Sequence, residues 1–167
     1  MIISKRDFGK FFKDSYPLVY SLSFILVPET LQAEQICLDS LELLALKERK
    51  LMMRLAHTKS QNTQPLWDQL KKNHLKYVWI LGIKRFTQLK GNTETWHEKP
   101  DEFFFTQNVL ERGILFLKTR LRLSLSDIEF ITDCDRYKIL SYLCKSRDDL
   151  LWESHKRNLS LPQVIGN

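Results

Sequence analysis

The sequence predicts an all-α protein, and three observations carry that expectation. Only five glycines and five prolines occur among 167 residues, so the residues that a many-stranded chain needs for its turns are scarce. Leu, Lys and Glu, which lose little side-chain freedom in a helix, are abundant. Apolar residues recur at three- and four-residue spacing over long stretches rather than alternating. With 43% hydrophobic residues the chain can build a real core, which excludes disorder of the whole.

The first element carries Phe8, Phe11, Phe12, Tyr16, Val19, Tyr20 and Leu22, an aromatic stripe on one helical face. Pro17 falls inside that pattern, so a new helical segment or a kink is expected there. Pro28-Glu-Thr closes the element. Thr30 is expected to cap a long second helix whose apolar positions, Leu31, Ile36, Leu38, Leu41, Leu44, Leu51 and Leu55, run to about residue 57. HTKSQNTQ, residues 57–64, is polar and aperiodic and reads as a loop. Pro65 suits the first turn of a third helix with Trp67, Leu70, Leu75, Val78, Trp79, Ile83 and Phe86 on its apolar face. From Gly91 the stretch GNTETWHEKPDE has no periodicity and the composition of a linker. Two small helical domains follow from this reading: residues 1–90, a linker over 91–105, a second domain over 106–157, and a tail over 158–167.

Beyond the linker the helical period resumes with Val109, Leu110, Ile114, Leu117 and Leu121. Ser124 or Ser126 can cap a short helix through Thr132, with Asp127 and Glu129 near its positive end. Asp133-Cys134 forms the turn, and Asp135 is a good cap for a second helix running to about Arg147. Leu123, Ile128, Ile131, Cys134, Ile139 and Leu143 are the interior of this pair, the spacing of a helix-turn-helix. Its second helix then exposes Arg136, Tyr137, Lys138, Ser141 and Lys145. Such helices touch base edges mainly with their N-terminal part, while Lys, Arg and Ser hold phosphates. A plain amphipathic hairpin covering a core exposes the same residues, so the pair alone leaves both readings open.

The excess of 26 Lys and Arg over 20 Asp and Glu gives a net charge of +6, which suits an anionic partner such as nucleic acid. Cys37, Cys134 and Cys144 form no CxxC pair, so a disulfide framework is not indicated and a reducing cytoplasm is expected. The longest nearly apolar run, Pro17 to Pro28, is about 12 residues, too short to span a bilayer. His57, His74, His97 and His155 are scattered without a helical metal-binding spacing, and each is expected at the surface or its boundary. No glycine-rich phosphate loop occurs, and Asp148, Asp149 and Glu153 read as a solvated face; neither an enzyme nor a cofactor is expected. In EFFF, residues 102–105, three consecutive Phe cannot share one helix interior, so at least one is expected at an interdomain or partner surface, a contact between the two halves being the simpler reading.

Arg112 to Leu150 resembles, without a gap, the last helix-turn-helix of sigma factors of the extracytoplasmic-function type in the sigma-70 family. The residues that carry it are Arg112-Gly113 followed by ILFL, Leu123-Ser124, Asp127-Ile128 and Ile131, then Ile139, Ser141, Leu143, Arg147 and Leu150. Phe8, Phe12, Tyr16-Pro17, Ala33-Glu34, Asp39 and Leu41 are similar to the family's first conserved helices, and VWILGIKRF, residues 78–86, to its tryptophan-bearing helix. The resemblance implies a two-domain transcription protein of the cytoplasm. It would bind promoter-type double-stranded DNA through Arg136, Tyr137, Lys138, Ser141 and Lys145. It would meet core RNA polymerase around Glu34, Gln35 and Asp39, with a regulatory protein as a further partner. The chain departs from the family's pattern at Gln35 and Leu38 on the polymerase side, and at Phe86 and Lys90 in the tryptophan helix. Leu140 and Tyr142 stand where basic residues are common, which implies fewer phosphate contacts and a flatter salt dependence.

Overall fold

A computed structural model describes residues 5–57, 63–89, 105 and 107–160, with side chains described only between Phe8 and Asp149. Every regular element among them is a helix: α1 Lys5–Leu26, α2 Thr30–Lys47, α3 Arg49–His57, α4 Gln64–Leu89, α5 Val109–Thr119, α6 Leu125–Thr132 and α7 Arg136–Ser160. Most of the stretch expected as a linker lies outside the described residues.

Pro17 does not divide the first element; α1 is one helix through it. The ring stands on the exposed side, and both flanks are anchored by packing, Phe8, Phe11 and Phe12 in one cluster and Val19, Leu22 and Leu26 in another. Tertiary contacts therefore hold the helix where the missing N–H would loosen it. The cap of α2 is Glu29 rather than Thr30: its extended backbone (φ −139°, ψ 124°) lets its carboxylate accept from the N–H groups of Leu31 and Gln32, at 3.1 Å each. The long second helix is likewise two. Glu48 ends α2 with its N–H on the Leu44 carbonyl, and its carboxylate accepts from the Tyr77 hydroxyl of α4 at 2.6 Å. The break folds α3 over α4, so that Leu44, Leu51, Leu55 and Leu70 close a small cluster. Trp67 joins it, stacked on Phe11 with ring centroids 5.2 Å apart.

Leu31 and Leu38, expected on the buried face of α2, point outward. Ile36 and Leu44 are buried as expected, and the small side chains Ala33, Cys37 and Ser40 complete the buried face. His74 is buried, unlike a surface histidine, with Nε2 3.2 Å from the Ser40 hydroxyl. Burial pushes its pKa down to about 4, so the ring is neutral at pH 7.

The larger cluster draws on both sides of residues 90–104. Val19, Leu22, Leu26, Ile36, Val78 and Trp79 share it with Val109, Ile114, Leu117, Ile128, Ile131 and Ile139. Two glycines let the backbones approach. A Cβ on Gly113 of α5 would sit 2.5 Å from the Trp79 ring and 2.9 Å from Leu26, and one on Gly82 of α4 2.5 Å from Leu26.

At the same seam Arg112 is 1% exposed. Its Nε and Nη2 donate to the carbonyls of Ile25 (2.6 Å) and Leu26 (2.8 Å), and its Nη1 donates to those of Phe105 (3.0 Å) and Gln107 (3.3 Å). Ile25 and Leu26 end α1, where carbonyls lack helical partners and the dipole is negative; a cation from α5 thus caps α1. The Phe86 ring lies 5.1 Å from the guanidinium and the Phe105 ring 5.8 Å. Burial lowers the Arg112 pKa to about 10, still well above neutrality. Phe105 also meets Phe24 edge-on at 6.1 Å, so this one residue of EFFF does lie between the halves.

Candidate nucleic-acid interface

The expected helix pair forms α6 and α7, joined by Asp133-Cys134-Asp135. Ser124 is the cap of α6: its hydroxyl accepts from the Asp127 N–H at 3.1 Å and donates to the Asp127 carboxylate at 2.8 Å. Asp133 ends α6 in the left-handed region (φ 55°, ψ 28°), a conformation that Asp tolerates better than most residues. Asp135 then opens α7, its carboxylate accepting from the Lys138 N–H at 2.9 Å. The turn works without glycine because one Asp takes the strained backbone and the other takes the cap. Ile128, Ile131 and Ile139 are fully buried, and Leu123, Cys134 and Leu143 line the edge. The second helix runs past Arg147 to Ser160 and takes in the start of the expected tail.

All five side chains expected on the outer face are exposed: Arg136, Tyr137, Lys138, Ser141 and Lys145. They are not equivalent. Tyr137 is 86% exposed, its ring clear of the body. Lys138 and Ser141 have no side-chain partner among the described residues. Arg136 reaches back to α6, donating through Nη2 to the Glu129 carboxylate at 2.9 Å and the Ser126 hydroxyl at 3.2 Å. Lys145 is 2.6 Å from the carboxylate of Glu111 on α5, a side chain only 5% exposed. That bond raises the Lys145 pKa and gives the buried acid its counter-charge. Lys145 thereby ties α7 to α5. Leu140 is half in the open and Tyr142 packs against the core, so neither position adds a cation to the face.

A second group of cations borders the pair from α4. Lys72 lies 2.5 Å from Asp127, and the Lys76 ammonium sits 4.6 Å above the Phe130 ring. Burial alone would raise the Asp127 carboxyl, but the bonds from Lys72 and Ser124 outweigh it and hold the pKa below the ordinary value. Nothing in the spacing of α4 distinguished these lysines; only the packing of α6 on α4 brings them beside the helix pair.

On α2, Glu34 and Gln35 are exposed, while Asp39 is half-buried and accepts from the Gln35 amide at 2.6 Å, with the Arg85 guanidinium 4.0 Å away. The same face carries Leu31 (71% exposed), Leu38 (59%) and Leu46 (75%). Leu31 and Leu38 were expected to face inward, and Leu46 was not singled out, because helical spacing alone does not say which stripe turns inward; the small residues Ala33 and Ser40 on the other stripe were the signal.

Among the described residues no group of three His, Cys, Asp or Glu side chains is placed to hold a metal ion. No described helix is long and apolar enough to cross a membrane. No family model, curated protein or solved structure matches the chain.

Proposed function

We propose that the chain is a sigma-like transcription protein that binds duplex DNA through a helix-turn-helix formed by α6 and α7 and meets RNA polymerase through the outer face of α2. The observation that carries the reading is the first two turns of α7. They present Arg136, Tyr137, Lys138 and Ser141 to solvent on a helix whose opposite face is locked into the core at Ile139. An N-terminal turn so placed fits a major groove, with Tyr137 against bases and Lys138 and Ser141 on phosphates. Lys145, bonded to Glu111, serves more to position α7 than to grip DNA.

Fluorescence anisotropy with a labelled duplex over a salt series tests this. Affinity should fall with salt, and the Arg136→Ala/Lys138→Ala double variant should flatten the log–log slope by about 2, since each phosphate contact contributes about 0.9. An unchanged slope and affinity would sink the recognition-helix proposal.

A second reading is favoured by the core shared between the halves and by the leucines of α2: an adaptor that keeps the sigma-like arrangement and acts through protein contacts without melting promoters. Retention of core RNA polymerase by the tagged protein, abolished by Leu38→Asp, supports the first reading. DNA-independent behaviour together with no polymerase retention leaves the adaptor.

A further inference from the structure

Away from α2 and α7, a groove of about 430 Å³ runs between α1 and α5. That volume is within the range of small-ligand clefts, about 300–1,000 Å³. One wall is aromatic: the Tyr20 and Phe24 rings of α1 lie nearly parallel, 22° apart with centroids at 6.2 Å, and Tyr16 continues the ladder at 6.1 Å from Tyr20. Leu115 and Phe116 of α5 form the other wall. We propose that this groove binds a small apolar anion, an aromatic or short aliphatic body carrying one carboxylate or sulfonate.

The polar atoms of the groove specify that chemistry. Ser21 and Thr119 have already committed their hydroxyl hydrogens to carbonyls of their own helices, Pro17 and Leu115, at 2.7 Å each. They retain lone pairs but no hydrogen to give. The side-chain donors left in the lining are the Tyr20 hydroxyl and Arg120, an exposed guanidinium, neither with a hydrogen-bond or ion-pair partner among the described residues. A neutral apolar molecule would leave the Arg120 cation to water and gain nothing from it, and a cationic one would oppose it; an anion lets the ring ladder cover its body while Arg120 and the Tyr20 hydroxyl take its charge. The walls come from opposite sides of residues 90–104, so a bound ligand would also hold the two halves together.

The probe is 1-naphthaleneacetate, with the neutral 1-naphthaleneacetamide as its isostere, followed by backbone amide NMR and thermal denaturation of the full chain. Saturable shifts centred on Ser21, Phe24, Leu115 and Thr119, with a raised melting temperature, are expected for the acid, and weaker binding for the amide. Arg120→Gln should weaken the acid about tenfold, as loss of one charge-assisted bond does, and leave the amide unchanged. Thr119→Phe, an exposed position at the end of α5, should fill the groove and abolish both, with the amide spectrum elsewhere preserved. The proposal is overturned if no saturable shifts occur up to the solubility limit, if acid and amide bind equally, or if Arg120→Gln leaves the acid's affinity unchanged.

Discussion

Arg112 and Arg136 are separated by one helix hairpin and are used in opposite ways. Arg112 is sealed among four carbonyls and two aromatic rings, donating four hydrogen bonds. Arg136 lies in the open, held by one half-exposed carboxylate and one hydroxyl. Burial makes the first a structural joint whose removal strands buried acceptors. Exposure leaves the second able to exchange its partners for phosphates at little cost. The lesson extends to the regions around them: the seam between the halves is over-determined, while the outer face of α7 is loosely held.

The comparison breaks most sharply at the seam. Arg112→Met should cost about 3–5 kcal/mol, because four carbonyls lose a charged donor at once, and chemical denaturation measures it. A loss under 1 kcal/mol would mean that water replaces the guanidinium and that the joint is ornamental.

Next is pH. The His74 pKa is depressed to about 4 in the folded state from about 6.5 unfolded. The contribution of the neutral ring is therefore intact above pH 6.5 and is lost as pH falls from there towards 4. The drop should reach about 3 kcal/mol and be absent in His74→Gln. Denaturation midpoints that run parallel for the two proteins between pH 7 and 4 would contradict the buried neutral ring.

Gly113→Ala comes third, at about 1–3 kcal/mol, as the new methyl drives into Trp79 and Leu26. Tryptophan fluorescence should shift with it. Smallest of all is the α7 face. Lys138→Ala and Tyr137→Ala should each change stability by no more than about 0.5 kcal/mol. An appreciable loss at either position would show that the loosely held face is packed after all.

Much of this contrast was legible in the sequence, and the part that was not has one cause. A serine cap on α6, left open there between Ser124 and Ser126, the turn at Asp133-Cys134, the cap at Asp135, the buried isoleucines and all five exposed residues of α7 depend on neighbours within a few positions, and their spacing disclosed them. The break at Glu48, the unbroken passage through Pro17, the burial of His74 and the ion pair of Lys145 depend on partners in other helices, Tyr77, Ser40 and Glu111 among them. Tertiary contacts overrode local propensity there, and periodicity carries no record of which helix lies opposite.

The joint at Arg112 also bears on how the chain comes to be folded. Its bonds to Ile25 and Leu26 close loops of 87 and 86 residues. During synthesis the first four helices are translated before the residue that caps α1 has been made. Until α5 arrives, the end of α1 and the Leu26 side chain lack their final neighbours. The N-terminal stretch thus lacks part of its cap and core until α5 has been made, and closing so long a loop carries an entropic cost that the buried bonds must offset.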